Sequence, residues 1–341
     1  MNTIIKKTAA TALSSLLLAS PAFAADVTLR FGHFWPSVSD IHKEIYQKWA
    51  DTVEADSNGR INVELYPSST LAKPPAQYDA VKHRILDMTA TVQGYSANRF
   101  PLTQIVELPG VVQNATQGSC VIQKLYEEGA FANEYKDSKP LFLFTHGAGL
   151  LHVKGKNIEQ PSDLEGLRIR RPTAVIGGLL EELGALPVGM PAPQSYQSLQ
   201  RGVIDGVALP WEGVKSFRIN ELAENHTEVG GLYSLAFIVT MNSDVYNSLD
   251  DELKAVIDKN SGAAWSSIAA QVFDDLDSKG LEEAQAAGHT INRIDASNNQ
   301  TTWQPIFDKV IENYLSDLES KGLAARDVYK RAMELSQDCS N

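Results

Sequence analysis

Cysteine is scarce: the 341-residue chain holds two, Cys120 and Cys339. Neither has a second Cys or a His at the usual zinc-ligand spacing, so no structural zinc site is expected. One disulfide and two separate thiols are both compatible with the sequence, and spacing does not choose between them. Positive charge is also short. Thirty Lys and Arg against 42 Asp and Glu leave a formal net charge of −12, which argues against nucleic acid or an anionic membrane as partner. Beyond the N-terminus no apolar run is long enough to cross a bilayer. Reaction motifs are missing as well: the chain has no His-Glu-x-x-His, no Gly-x-Ser-x-Gly elbow, no Walker loop and no dinucleotide fingerprint. His33 and His42 flank a strand-to-helix turn without metal-ligand spacing and read as polar loop groups. Asp205-Gly206 reads first as a turn. No catalytic residue, cofactor or metal is assigned, and an enzyme is disfavoured.

What is present starts at the N-terminus. Lys6 and Lys7 precede an apolar, small-residue run through Leu16-Leu17-Leu18, and Ala22-Phe23-Ala24 closes it. This is the pattern of a secretory signal peptide over residues 1–24, cleaved after Ala24. Cleavage would leave 317 residues and, with two lysines removed, a charge of −14. A chain of that size exceeds the usual single core, so two lobes are expected, in a soluble protein exported to a bacterial periplasm.

Along the mature chain, strand and helix patterns alternate. Val27, Leu29 and Phe31 alternate with polar residues. Ile41, Ile45, Trp49 and Val53 recur at helical spacing, with Asp40 as the expected N-cap. Ile61, Val63 and Leu65 then form a second strand, giving a βαβ unit with parallel strands. Further strands are predicted over Leu141–Thr145, Leu167–Arg171 and Phe237–Met241, the last apolar enough to be buried on both faces. Residues 253–287 read as a long helical stretch interrupted near Gly280, and Trp303 to Leu318 as one amphipathic helix. The fold class is α/β, two-lobed, with a helical C-terminus.

One segment stands out against the acidic background. "GLRIRRPTA" puts Arg168, Arg170 and Arg171 within four positions, just before Pro172. Alternation on a strand sets Arg168 and Arg170 on one face and Ile169 and Arg171 on the other.

With this segment the chain resembles the periplasmic substrate-binding proteins of TRAP transporters, of the four-carbon-dicarboxylate and sialate-binding type. "LRFGHFWP" with "HKEIYQKWADTVEADSNGRINVELYPSSTL" is similar to the family's opening strand, helix and Tyr-Pro-Ser strand end. "AVKHRILDM", "DLEGLRIRRP", "SYQSLQRGVIDG" and "MNSDVYNSLDDELKAVI" follow in the family's order, over about 230 residues in all. The resemblance implies a two-lobed periplasmic binding protein fold with a ligand cleft and a long hinge helix. Lobe I would comprise residues 26–147 plus 237–280, and lobe II residues 148–236 plus 281–341. It also implies a receptor that hands its solute to membrane permease subunits and does no chemistry on it.

In the family strand, the arginine after the Ile pins the ligand carboxylate, and that position is Arg170 here. Guanidinium presents a planar two-pronged donor that matches a carboxylate. Positions that are polar in sialate-type members become apolar or aromatic in this chain: Phe34 followed by Trp35, then Val92, Tyr95, Leu150, and Leu209 followed by Trp211. The implied ligand is an organic monocarboxylate with an apolar or aromatic body, benzoate-like, its ring packed by Phe34, Trp35, Tyr95 and Trp211. A receptor for a small 2-oxo or 2-hydroxy acid, and a sensor subunit for a membrane kinase, are the alternatives.

Overall fold

The computed structural model describes residues 25–295 and 298–340; the signal peptide read over 1–24 lies outside them. Strands β1 (Val27–His33) and β2 (Ile61–Tyr66) pair in parallel, in register from Val27–Ile61 to Gly32–Tyr66. The expected helix between them begins as a π-helical turn, His42–Gln47, and continues as an α-helix, Lys48–Asp56, burying Ile45, Tyr46, Trp49 and Val53. Asp40 does not cap it. The first free backbone N–H, on His42, is donated to Ser39 Oγ instead (3.2 Å).

β3 (Met88–Val92) lies parallel to β1, and β4 (Lys139–Thr145) completes the first stretch of the chain. Then the chain crosses over. β5 (Leu150–Val153), β6 (Arg168–Arg171), β7 (Leu186–Gly189), β8 (Gly206–Leu209) and β9 (Asn225–Glu228) belong to a second sheet. β10 (Ala236–Met241) crosses back, inserting antiparallel between β3 and β4, and all six of its residues are buried. β11 (Thr290–Arg293) returns to the second sheet beside β9. The strand orders are β2-β1-β3-β10-β4 and β11-β9-β5-β8-β6-β7.

The third crossing is helical. The stretch predicted over 253–287 is two helices, Asp251–Lys259 and Gly262–Ala286, broken at Asn260-Ser261 rather than at Gly280. Gly280 lies inside the second helix, and glycine is needed there for packing: a Cβ would collide with the Trp211 carbonyl. This 25-residue helix packs on β4 and the helix Ala115–Glu127 in the first lobe and on Trp211–Ser216 in the second.

The last two helices, Gln304–Ser320 and Ala325–Asp338, do not both stay with the second sheet. The final one lies on Ala115–Glu127 of the first lobe. Cys120 and Cys339 join these two helices in a disulfide, with Cα atoms 6.0 Å apart. Among the described residues no helix is long and apolar enough to cross a membrane.

Candidate functional site

Local sequence explains why the arginines sit at the mouth of the second sheet. β6 stops at Pro172, which has no N–H for the ladder. Thr173 then caps the helix Ala174–Glu182, its Oγ1 accepting the Ile176 N–H and donating to Glu107 Oε2 across the lobes (2.8 Å). β6 runs between β7 and β8, so Arg170 faces Val188 on one side and Val207 on the other.

The three cations have three different surroundings. Arg168 is half-exposed and holds Asp205, Nε and Nη2 each donating to one carboxylate oxygen. Arg171 is half-buried; its side chain lies over Gly177 and Gly189 and lines a cavity of about 940 Å³ between the lobes, bounded also by Tyr95, Pro172, Met190 and Tyr314. Arg170 is fully buried. Its Nε donates to the Met190 carbonyl (3.0 Å), Nη1 to the Ala208 carbonyl (2.9 Å) and Nη2 to Tyr95 Oη (3.2 Å). Among the described residues no carboxylate pairs with it. A guanidinium has five N–H groups, so two remain after these three bonds. A buried cation without a counter-ion, and with two donors to spare, is arranged for an anion from outside the chain.

The first lobe closes over that group. Tyr95 follows β3 in a short 3-10 turn, and its Oη accepts from both Arg170 and the Ala192 N–H (3.1 Å). Both acceptor positions are filled, which leaves its own O–H to donate. Phe34 stacks on Trp35 with centroids 3.8 Å apart and lies 5.7 Å from the Tyr95 ring. Trp35 continues the aromatic wall to Phe237 at 5.6 Å. Val92 pairs with Phe237 across β3 and β10, and Leu150 with Leu209 across β5 and β8. All are buried, with Tyr95 the most open of them at 9%.

Trp211 does not join this wall. Its ring packs against His226 (4.8 Å) and His152 (5.3 Å), and its Nε1 donates to Glu228 (3.0 Å). The two histidines start a chain, His152–His226–His289, that runs outward from the Leu209 carbonyl. Burial holds His152 down to about 4. His33, expected in a polar loop, is fully buried and bonded to His42 (2.9 Å). Burial holds it down to about 3.

Two buried polar side chains at the Phe237 end of the wall were not singled out by motif spacing: His146 and Tyr233. They come from the two crossing segments, after β4 and before β10. Their rings meet edge to face at 5.7 Å, and His146 reaches Phe237 at 5.9 Å. Gly149 is required here, because a Cβ would collide with the Tyr233 ring. That gives the Gly-rich run 146–149 a packing reason. The only sequence signal for the pair is glycine density, Gly147 and Gly149 in one segment and Gly230-Gly231 in the other.

Two sheets bridged by three crossings, with a buried, unpaired cation between them, define a two-lobed solute-binding protein. The chain belongs to the bacterial extracellular solute-binding proteins of family 7, whose model matches residues 31–317. Its relatives are the periplasmic receptors of TRAP transporters, which are not enzymes and work with membrane permeases. It is similar to a TRAP solute-binding protein from Rhodoferax ferrireducens T118 in complex with copurified benzoate, at TM-score 0.88 and 36% identity over 92% of this chain and 98% of that one. It is similar to a marine metagenome protein specific for aromatic acid ligands, in complex with 3-hydroxybenzoate, at TM-score 0.89 and 35% identity over 93% and 100%. The C4-dicarboxylate-binding periplasmic protein DctP of Rhodobacter capsulatus is 25% identical over 329 residues, 93% of this chain and 94% of that one.

Proposed function

We propose that this TRAP receptor binds an aromatic monocarboxylate, held through its carboxylate by Arg170, and delivers it in the periplasm to membrane permease subunits. The observation that carries the reading is the Arg170 guanidinium: buried, without a carboxylate partner, and facing an aromatic wall. Its two spare N–H groups match the two oxygens of a carboxylate, and the Tyr95 O–H supplies a further donor. Phe34, Trp35, Val92, Leu150 and Leu209 are the walls for the ring. Burying roughly 100 Å² of ring at about 25 cal/mol per Å² contributes about 2.5 kcal/mol.

A second carboxylate has no equivalent partner. Arg168 is taken by Asp205, and Arg171 is half-buried over Gly177 and Gly189, across the Tyr95-lined cavity from the Phe34-Trp35 stack. A dicarboxylate would set its second charge against hydrocarbon, at several kcal/mol. The benzoate and 3-hydroxybenzoate bound by the two similar proteins support the same class. A thermal-shift screen of organic acids at fixed concentration tests the reading. Benzoate-like and phenylacetate-like acids should stabilise the protein most. Greater stabilisation by succinate, malate or sialate would refute it.

A further inference from the structure

In the crossing segments, two buried polar atoms have no partner among the described residues: His146 Nε2 and Tyr233 Oη. The rings that carry them are 2% and 1% exposed. The proton on His146 can be placed. Its Nδ1 contacts the Gly147 carbonyl, which can only accept, so Nδ1 carries the hydrogen. Burial, with the nearby Arg170 charge adding to it, holds the imidazole down to about 4, so it is neutral at physiological pH. Nε2 is therefore a bare acceptor. Tyr233 differs: its hydroxyl both donates and accepts. The His146 ring meets Phe237 at 5.9 Å, which sets the pair at the end of the aromatic wall.

A carboxylate cannot satisfy a bare acceptor, since it has no hydrogen to give. A hydroxyl can, and one hydroxyl serves both orphans. It would donate to His146 Nε2 and accept the Tyr233 O–H. A plain benzoate would leave Nε2 unpaired in a closed cleft, a cost that falls on its affinity.

Building on the aromatic-acid reading, we infer that His146 and Tyr233 read a hydroxyl group, so that the ligand is a hydroxylated aromatic acid. The test is calorimetric titration of the mature protein with benzoate and phenylacetate against 3-hydroxybenzoate, 4-hydroxybenzoate and mandelate. At least one hydroxylated acid should bind about tenfold or more tighter than its parent. The best arm locates the hydroxyl on the ring or on the α-carbon. His146→Phe, which keeps a ring against Phe237, and Tyr233→Phe, which removes only the hydroxyl, should each shrink that preference to within about threefold, with the parent acid still bound. Parents binding as tightly as their hydroxylated forms would overturn the inference and leave the aromatic-acid reading standing. A preference that survives both substitutions would overturn it as well. No binding of any aromatic acid would overturn the reading beneath it. Should His146→Phe fail to fold, Tyr233→Phe decides alone.

Discussion

Replacing Arg170 with lysine keeps the charge and removes the fork. Lysine has three N–H groups, and the protein itself presents three acceptors at this point: the Met190 carbonyl, the Ala208 carbonyl and Tyr95 Oη. An ammonium that meets all three has none left for a ligand, whereas arginine keeps two. Arg170→Lys should therefore cost at least about 2 kcal/mol of binding, roughly 30-fold in Kd. Arg170→Met, which also loses the charge, should cost about 2–5 kcal/mol. Folding should suffer less than binding, because the methionine variant loses three bonds but also an unpaired buried cation, and these terms oppose. Titration calorimetry with benzoate reads the affinity and thermal melting reads the fold. Affinity of the lysine variant within threefold of the native protein, at native stability, would refute the donor count.

Closure should accompany binding: Tyr95 joins the lobes through Arg170 and Ala192, so saturating benzoate should shrink the radius of gyration in small-angle scattering, and Tyr95→Phe should weaken binding. An unchanged scattering profile would count against a two-lobed clamp. Removing the Cys120–Cys339 link with a Cys339→Ser, Cys120→Ser pair should cost about 2–5 kcal/mol, or about 3–8 °C in Tm for a chain of this size. Ligand affinity should stay within threefold, because among the described residues neither cysteine nor its two helices contribute a hydrogen bond to Arg170 or Tyr95. The buried histidines should stay neutral in mild acid. His33 (about 3), His146 and His152 (both about 4) and His226 (about 2) are held neutral by burial, so the unfolded chain takes up protons near 6.5 while the folded one does not. Burial also lifts Glu107 and Glu212 to about 7 and raises Asp277 and Glu134, four carboxyls that take up protons in the folded state and act in the opposite direction. The imidazole NMR signals of these four histidines should therefore not titrate between pH 7 and pH 5; a midpoint within that range would contradict the assignment of neutral histidines.

The elements that carry local periodicity were legible in the sequence. The first βαβ unit, the buried β10 and the Arg-rich strand before Pro172 all follow from spacing and from residue type. The family motif also singled out Arg170, and the loop after the first strand singled out the pair Phe34-Trp35. For Trp211, an aromatic after a polar-to-apolar change reads as pocket lining, whereas its ring packs on histidines that spacing does not bring together. What commits it elsewhere, Glu228 and the rings of His152 and His226, lies on other strands. Gly280 looked like a helix break because close packing against Trp211 has no sequence signature. His146 and Tyr233 are 87 residues apart, on segments that meet only because the chain crosses twice between sheets. Nothing local announces such a pair.

Whether a single carboxylate on an aromatic body binds at Arg170 is decided by a crystal structure of the protein as purified, or after addition of 3-hydroxybenzoate. The expected density is a flat ring against Phe34 and Tyr95, with the two carboxylate oxygens on Arg170 and the Tyr95 hydroxyl. Density for a dicarboxylate or a sugar acid, or a carboxylate held anywhere other than Arg170, would contradict the proposed binding mode.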